Sequence, residues 1–245
     1  MAFAGIPSTP ADLLLRERVY DYLKKSLAEG RLSLGSYLNL SALEADLGLS
    51  RTPLRDALLR LEAEGFVTIH SRRGVVVNAL DPTAIRDIYQ IIGALESAAA
   101  EESRGSAGEQ TWTTMERLNR EMKDALSKDD FNEYYSRNLS FHDAFISLSA
   151  NKELRTTLHT LKERLYDFPR QKSYLREWEM ASVREHDEII RLFRSGDFSG
   201  AAAYLRNTHW SYALQEHYVR AYYFQDASRP DTSRPDAPRT TAGTP

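Results

Sequence analysis

Four side chains in the second half of the chain are of the types that hold a divalent ion: Asn138 and His142, four residues apart, then His186 and His209. Residues at i and i+4 share one helical face, and imidazoles arriving from neighbouring helices can close a shell around an ion. Taken singly, each histidine more often serves as a hydrogen-bonded core or surface residue. The first half carries different chemistry. Arg51, Thr52 and Arg55 stand at the start of an amphipathic segment, opposite a stripe of Leu54, Leu58 and Leu61. Guanidinium and hydroxyl groups at a helix N-terminus suit phosphates and guanine edges in a major groove. For an isolated arginine pair, a solvated helix face is the default reading.

These groups need elements to position them. Leu40, Leu43 and Leu47 predict a short helix, with Ser41 and Glu44 fitting a capping box and Gly48 ending it. Ser50 is placed to cap a second helix, whose first turn tolerates Pro53. Phe66 to His70 and Val75 to Asn78 are β-rich runs around Ser71, Arg72, Arg73 and Gly74, which predicts a hairpin with a basic tip. Such a wing reaches a minor groove or its phosphates. With an upstream stripe of Leu15, Val19, Leu23 and Leu27, residues 11–79 read as a winged helix-turn-helix, after an N-terminal extension over residues 1–10.

Past Asn78 the periodicity becomes helical. Asp81 and Pro82 form a hinge, and helices are predicted over 83–103, 112–126, 131–149, 152–166, 181–194 and 199–222. The fold class is mainly α, with an antiparallel bundle in residues 80–225. Residues 226–245 repeat SRPD with almost no apolar side chains and are expected to be disordered.

Bulk properties narrow the partners. A chain of 245 residues with 42% hydrophobic residues can fill two modest cores, and its net charge is only -3. A protein that coats DNA non-specifically is strongly basic, so binding here must be local, through a small basic patch. The absence of cysteine excludes disulfides and thiolate ligands. No long apolar run or leader is present, which predicts a soluble, cytoplasmic protein with no membrane partner.

The string LGLSRTPLRDALLRLEAEGFVTI followed by RRG resembles the GntR-type bacterial transcription regulators. The resemblance implies that Arg51, Thr52 and Arg55 contact double-stranded operator DNA, with Ser50 near a phosphate and Ser71, Arg72 and Arg73 at the wing. Asp56 stands where the family usually has glutamate, and Ser41 where some members carry an arginine. NLSFHDAFISLSANKEL and EHDEIIRLFRSGDFSGAAAYLRNTH are similar to the all-helical effector-binding FCD domain of the FadR branch. That likeness implies a divalent metal, such as zinc, nickel or manganese, held by Asn138, His142, His186 and a last histidine. The family position of that last ligand falls at Thr208. One residue rotates a helical side chain by roughly 100°. His209 therefore reaches the site only if a bulge or an extra residue corrects the register.

Ile92 occupies the place of an arginine that commonly accepts effector carboxylates in this branch. Tyr89, Arg137 and Arg164 are the candidate effector contacts, with Arg170 as another guanidinium. The aromatics Tyr166, Phe168, Trp178, Trp210, Tyr212, Tyr218, Tyr222, Tyr223 and Phe224 crowd the C-terminal half. They pack a core or dimer interface, or they line a pocket for an aromatic or acyl compound. The resulting expectation is a homodimeric, ligand-responsive repressor that is not an enzyme. A metal hydrolase using Glu185 and Asp187 beside His186 and an effector-free architectural protein are the alternatives. No HExxH, nucleophile elbow or phosphate loop supports hydrolysis.

Overall fold

The structure is a computed structural model describing residues 10–48, 51–167 and 175–224. Ser50, Phe168, Arg170 and the predicted tail lie outside the described residues, as does most of the N-terminal extension.

The N-terminal unit holds helices α1 (Pro10–Ala28), α2 (Leu40–Leu47) and α3 (Arg51–Ala63), then strands β1 (Val67–His70) and β2 (Gly74–Val77). The strands are antiparallel, with Val67 opposite Val77 and His70 opposite Gly74. Backbone upstream of α2 adds a third edge, since the Leu38 amide donates to the Val75 carbonyl at 2.8 Å and the Gly35 amide to the Val77 carbonyl at 2.8 Å. Val19, Leu23 and Leu27 meet Leu54, Leu58 and Leu61 in one buried core, closed by Phe66 and Val77. The predicted cap of α2 needs correction. Asn39 is the N-cap, its side-chain oxygen accepting from the Ala42 amide at 3.0 Å, and Ser41 is an exposed residue inside the helix. The asparagine side chain reaches the third helical amide, so the helix starts two residues earlier than a Ser41 cap implies. Gly48 ends α2 in the left-handed conformation at φ 63°.

Asp81 and Pro82 do more than hinge the chain. Asp81 caps α4 (Pro82–Glu102) through a 2.7 Å bond from the Ala84 amide, and Pro82 occupies the first turn, where no amide is lost. There follow α5 (Glu109–Ser127), α6 (Phe131–Ile146), α7 (Lys152–Asp167) and α8 (Arg176–Arg194). The single last helix predicted from the sequence is two, α9 (Phe198–Tyr204) and α10 (Tyr212–Phe224), separated by a π-helical turn over Leu205–His209. The Trp210 amide donates to the Leu205 carbonyl at 2.8 Å, the i to i-5 bond of that wider turn.

Helix α4 is the central element and packs against α6, α7, α9, the π turn and α10. Its apolar face buries Ile85, Ile88, Ile92 and Ala99, with Leu95 partly covered. Gly93 makes the closest approach: a Cβ there would lie 3.0 Å from the Trp210 Cβ and 3.5 Å from the Arg206 Cα. The two units meet through α7, where Glu163 pairs with Lys24 of α1 at 3.3 Å and the Arg164 guanidinium lies over Gly65.

Alanine normally gains about 1 kcal/mol over glycine inside a helix. At position 93 that gain is opposed by overpacking of about 1–3 kcal/mol against a backbone turn that cannot swing away. Gly93→Ala is therefore expected to lower the melting temperature, measurable by calorimetry, whereas an exposed control such as Ser136→Ala is neutral or stabilising.

Candidate metal centre, ligand cavity and DNA interface

Asn138 and His142 project from one face of α6, His186 comes from α8, and His209 closes the π turn. One ligand nitrogen of each of the three histidines lies within 4.8 Å of the others. His142 is 1% exposed, His186 0%, His209 8% and Asn138 4%. The register argument is thereby answered: the wider π turn supplies the extra residue, and His209, not Thr208, joins the cluster.

Each histidine nitrogen has an account. His142 Nδ1 lies 2.9 Å from Glu96 Oε2, and His209 Nδ1 lies 2.7 Å from Glu185 Oε2. Donation from Nδ1 to a carboxylate leaves Nε2 as the lone-pair nitrogen, the arrangement that orients metal-binding imidazoles. His142 Nε2, both ring nitrogens of His186 and Asn138 Oδ1 are buried without a hydrogen-bond partner among the described residues. A buried polar atom left unpaired costs roughly 1–3 kcal/mol, so the lone pairs of His142 Nε2 and of one His186 nitrogen, within one cluster, favour a shared partner. A divalent ion with nitrogen-rich, thiolate-free ligands fits that set.

Glu96 anchors the shell from behind. It is 0% exposed, accepts from the Trp210 indole at 2.8 Å, and pairs with the buried Lys162 ammonium at 2.5 Å. Burial alone would raise its carboxyl, but His142 and Lys162 outweigh that and hold it well below the usual range. Burial pushes His142 down to about 4, against the pull of Glu96, and pushes His186 well below its ordinary value, with His209 and His142 adding to the effect. Both imidazoles stay neutral at physiological pH, with lone pairs available. Sequence reasoning gave no role to Glu96, Lys162 or Gln215, and placed Trp210 only among the clustered aromatics. The only local hint was the carboxylate at Glu185 beside His186.

A cavity adjoins the cluster and shares Asn138 and His209 with it. Its free space is about 50 Å³. One water needs roughly 10–15 Å³ in the same measure, so the space suits a few waters or a small head group. Tyr89 lines it, as do Tyr134, Tyr166, Trp178, Trp210 and Tyr222; its polar wall is Glu179, Ser182, Glu185 and Gln215. Part of the aromatic cluster thus forms the wall and part packs the core, with Tyr218 stacked on Trp178 at 5.8 Å. Two expected effector contacts are elsewhere. Arg137 is held on the surface by Glu121 at 3.1 Å and Glu133 at 2.6 Å, and Arg164 is turned toward Gly65. Both point away because the α6 and α7 faces that carry them are not the face toward α8.

The residues expected to face DNA belong to the other unit. Arg51, Thr52 and Arg55 are exposed while Pro53 and Leu54 beneath them are buried. Arg51 pairs with Glu44 at 3.3 Å with its side chain 86% exposed, a contact that a phosphate displaces at little cost. Ser71, Arg72 and Arg73 are exposed at the hairpin tip, where Arg72 has φ 65°. Among the described residues Arg55, Arg72 and Arg73 form no ion pair. Asp56 faces back and pairs with Arg16 at 2.9 Å, so it braces α3 on α1.

A winged helix-turn-helix with an exposed cationic face, joined to a helical unit with an enclosed polar cluster and cavity, is the architecture of a DNA-binding transcriptional regulator. Comparison with known proteins gives the family. Residues 15–77 match the bacterial regulatory proteins of the gntR family and residues 87–209 match the FCD domain, and the chain belongs to the GntR family in its FCD-bearing branch. It is 28% identical over 173 residues to the HTH-type transcriptional regulator YdhC of Bacillus subtilis, covering 70% of this chain and 77% of that protein. It is 31% identical over 131 residues to the Nta operon transcriptional regulator of Aminobacter aminovorans, covering 54% of this chain and 62% of that one. Among solved structures, E. coli McbR/YncC shares the fold with a TM-score of 0.66 at 20% identity, over 86% of this chain and 98% of that one. The family and these relatives are regulators, not enzymes. Among the described residues no helix is long and apolar enough to cross a membrane.

The depressed histidines set an acid limit on the metal-free protein. His142 titrates near 4 when folded and near 6.5 when unfolded. The unfolded chain therefore binds the extra proton between those values. Stability is fully present above about pH 6.5 and falls by roughly 1.4 kcal/mol per pH unit per such histidine as pH drops toward 4. Denaturant titrations of metal-stripped protein at pH 7 and pH 5 should show this loss, and His142→Phe should reduce it.

Proposed function

We propose that the chain is a homodimeric repressor that binds a pseudo-palindromic operator, responds to a small metabolite, and carries a divalent ion at the histidine cluster. The observation that supports this most directly is the set of orphaned lone pairs on Asn138, His142 and His186, beside a cavity that shares His209. Asn138, His142, His186 and His209 would hold zinc, nickel or manganese, with Glu96 and Glu185 fixing two of the rings. When bound, the ion supplies a Lewis-acidic point for an oxygen of a ligand such as an organic acid or an acyl compound.

The chain's own residues provide the coupling. Lys162, Glu163 and Arg164 are consecutive on α7: the first pairs with Glu96, the second with Lys24 of the DNA-binding unit, and the third lies over Gly65 in the turn after α3. A ligand that shifts Glu96 moves one end of this triplet, and the other end bears on α1 and α3. Operator affinity then changes by the ligand's differential binding to the two arrangements. Two such units on one dimer present two recognition helices to two half-sites.

In gel-shift titrations at moderate salt, the protein should bind its own upstream DNA in preference to scrambled DNA. Arg51→Ala or Arg55→Ala should weaken that binding about 10- to 100-fold, the range of one lost bidentate base contact. Equal affinity for scrambled DNA would overturn the operator reading. Metal-stripped protein should gain melting temperature with zinc, nickel or manganese, because an ion bound only to the folded state stabilises it. His142→Ala should abolish the gain, and the absence of a shift with any ion removes the metal.

A further inference from the structure

The cavity wall has an unbalanced charge. Of its two carboxylates, Glu185 is engaged by His209 and by the Gln215 amide at 3.1 Å. Glu179 has only the Tyr134 hydroxyl, itself part of the wall, and no cationic partner among the described residues. No lysine or arginine among the described residues lines the space. Among the described residues the wall is thus acidic, and such a wall repels a carboxylate at this end and attracts the opposite charge.

The rings favour the same class. Tyr89, Tyr166, Trp178 and Tyr222 present π-systems to a space small enough for an ammonium head. Edge contacts fix them: Trp178 to Tyr222 at 5.8 Å, Tyr135 to Tyr166 at 4.9 Å, and Tyr89 to Trp210 at 5.3 Å. The Gln215 amide oxygen accepts from the Trp178 indole at 2.9 Å, which locks the largest ring in place. Ring faces attract desolvated cations, and a half-buried carboxylate beside them supplies the counter-charge.

We propose that this cavity takes an organic cation, a primary or quaternary ammonium group, with Glu179 as its counter-ion and Trp178, Tyr166, Tyr89 and Tyr222 as its cage. This rests on the reading of the cavity as the sensor's ligand site, and it names the class of ligand. Burial lifts the Glu179 carboxyl to about 7, as expected of an acid held without its cation. The ligand's ammonium faces Glu179, and any oxygen it carries falls toward the His209 end.

The test uses full-length, zinc-loaded protein at about pH 8, where Glu179 is ionised. The probes are choline, n-butylammonium, the uncharged carbon isostere of choline, and tert-butylacetate as an anion of the same shape. Binding is read by tryptophan fluorescence and thermal shift. At least one of the two cations should bind about tenfold more tightly than both the isostere and the anion, as a retained cation–π and ion-pair preference predicts. Glu179→Gln should erase most of that ratio, and Trp178→Leu should lower it, whereas a purely structural Glu179 would leave it unchanged. The comparison on the unmodified chain needs no variant to fold. If the anion or the isostere binds best, or no probe binds, the cation assignment falls while zinc-dependent melting and operator binding still report on the regulator. Loss of those two with the cation preference intact would instead overturn the regulator.

Discussion

The buried carboxylate of Glu96 is the point on which the bundle depends. It sits on α4 with no exposure and gathers His142 from α6, Lys162 from α7 and the Trp210 indole from beyond the π turn. A charge taken out of water is tolerable only when its partners are close and geometrically fixed. The arrangement therefore constrains four elements at once: removal of Lys162 leaves a buried charge uncompensated, and removal of His142 or Trp210 takes away one of its hydrogen bonds. The same carboxylate selects the tautomer of His142 that keeps a lone pair toward the cluster. Packing and ligand chemistry are one interaction here.

Charge is distributed between the units by the same logic of burial. The DNA-binding unit keeps Arg51 and Arg55 exposed, because Pro53, Leu54, Ala57, Leu58 and Leu61 supply the buried face of α3. The bundle, besides its exposed ion pairs, buries the pair of Glu96 with Lys162. The two units meet at α7, where adjacent residues belong to different neighbourhoods: Lys162 is 3% exposed and belongs to the core, and Glu163 and Arg164 belong to the contact with the other unit.

Much of the fold was legible in the sequence because apolar period and turn residues act locally. The leucine stripes, the β-rich runs flanking Arg72 and Arg73, and the placement of Gly48 and Pro53 each specify a short segment. The α2 cap was misread because both Asn39 and Ser41 are good caps, and only the path of the incoming chain decides between them. In the site, the i, i+4 pair Asn138 and His142 was readable, whereas Lys162 and Gln215 look like ordinary surface polar residues until tertiary packing encloses them. Arg137 and Arg164 do not line the cavity, for the converse reason: charge shows in a sequence, but the direction a helix face points does not.

The π turn at Leu205–His209 has a consequence for how the histidine cluster and the cavity wall are tied together. A helix with one extra residue per turn changes phase, and every side chain after it inherits the new phase. His209 closes that turn, and Trp210 leaves it to start toward α10, which contributes Gln215 and Tyr222 to the ring-lined wall. The histidine end and the aromatic end are therefore keyed by a single indexing step, like two teeth cut on one shaft. Neither can be re-aimed without turning the other.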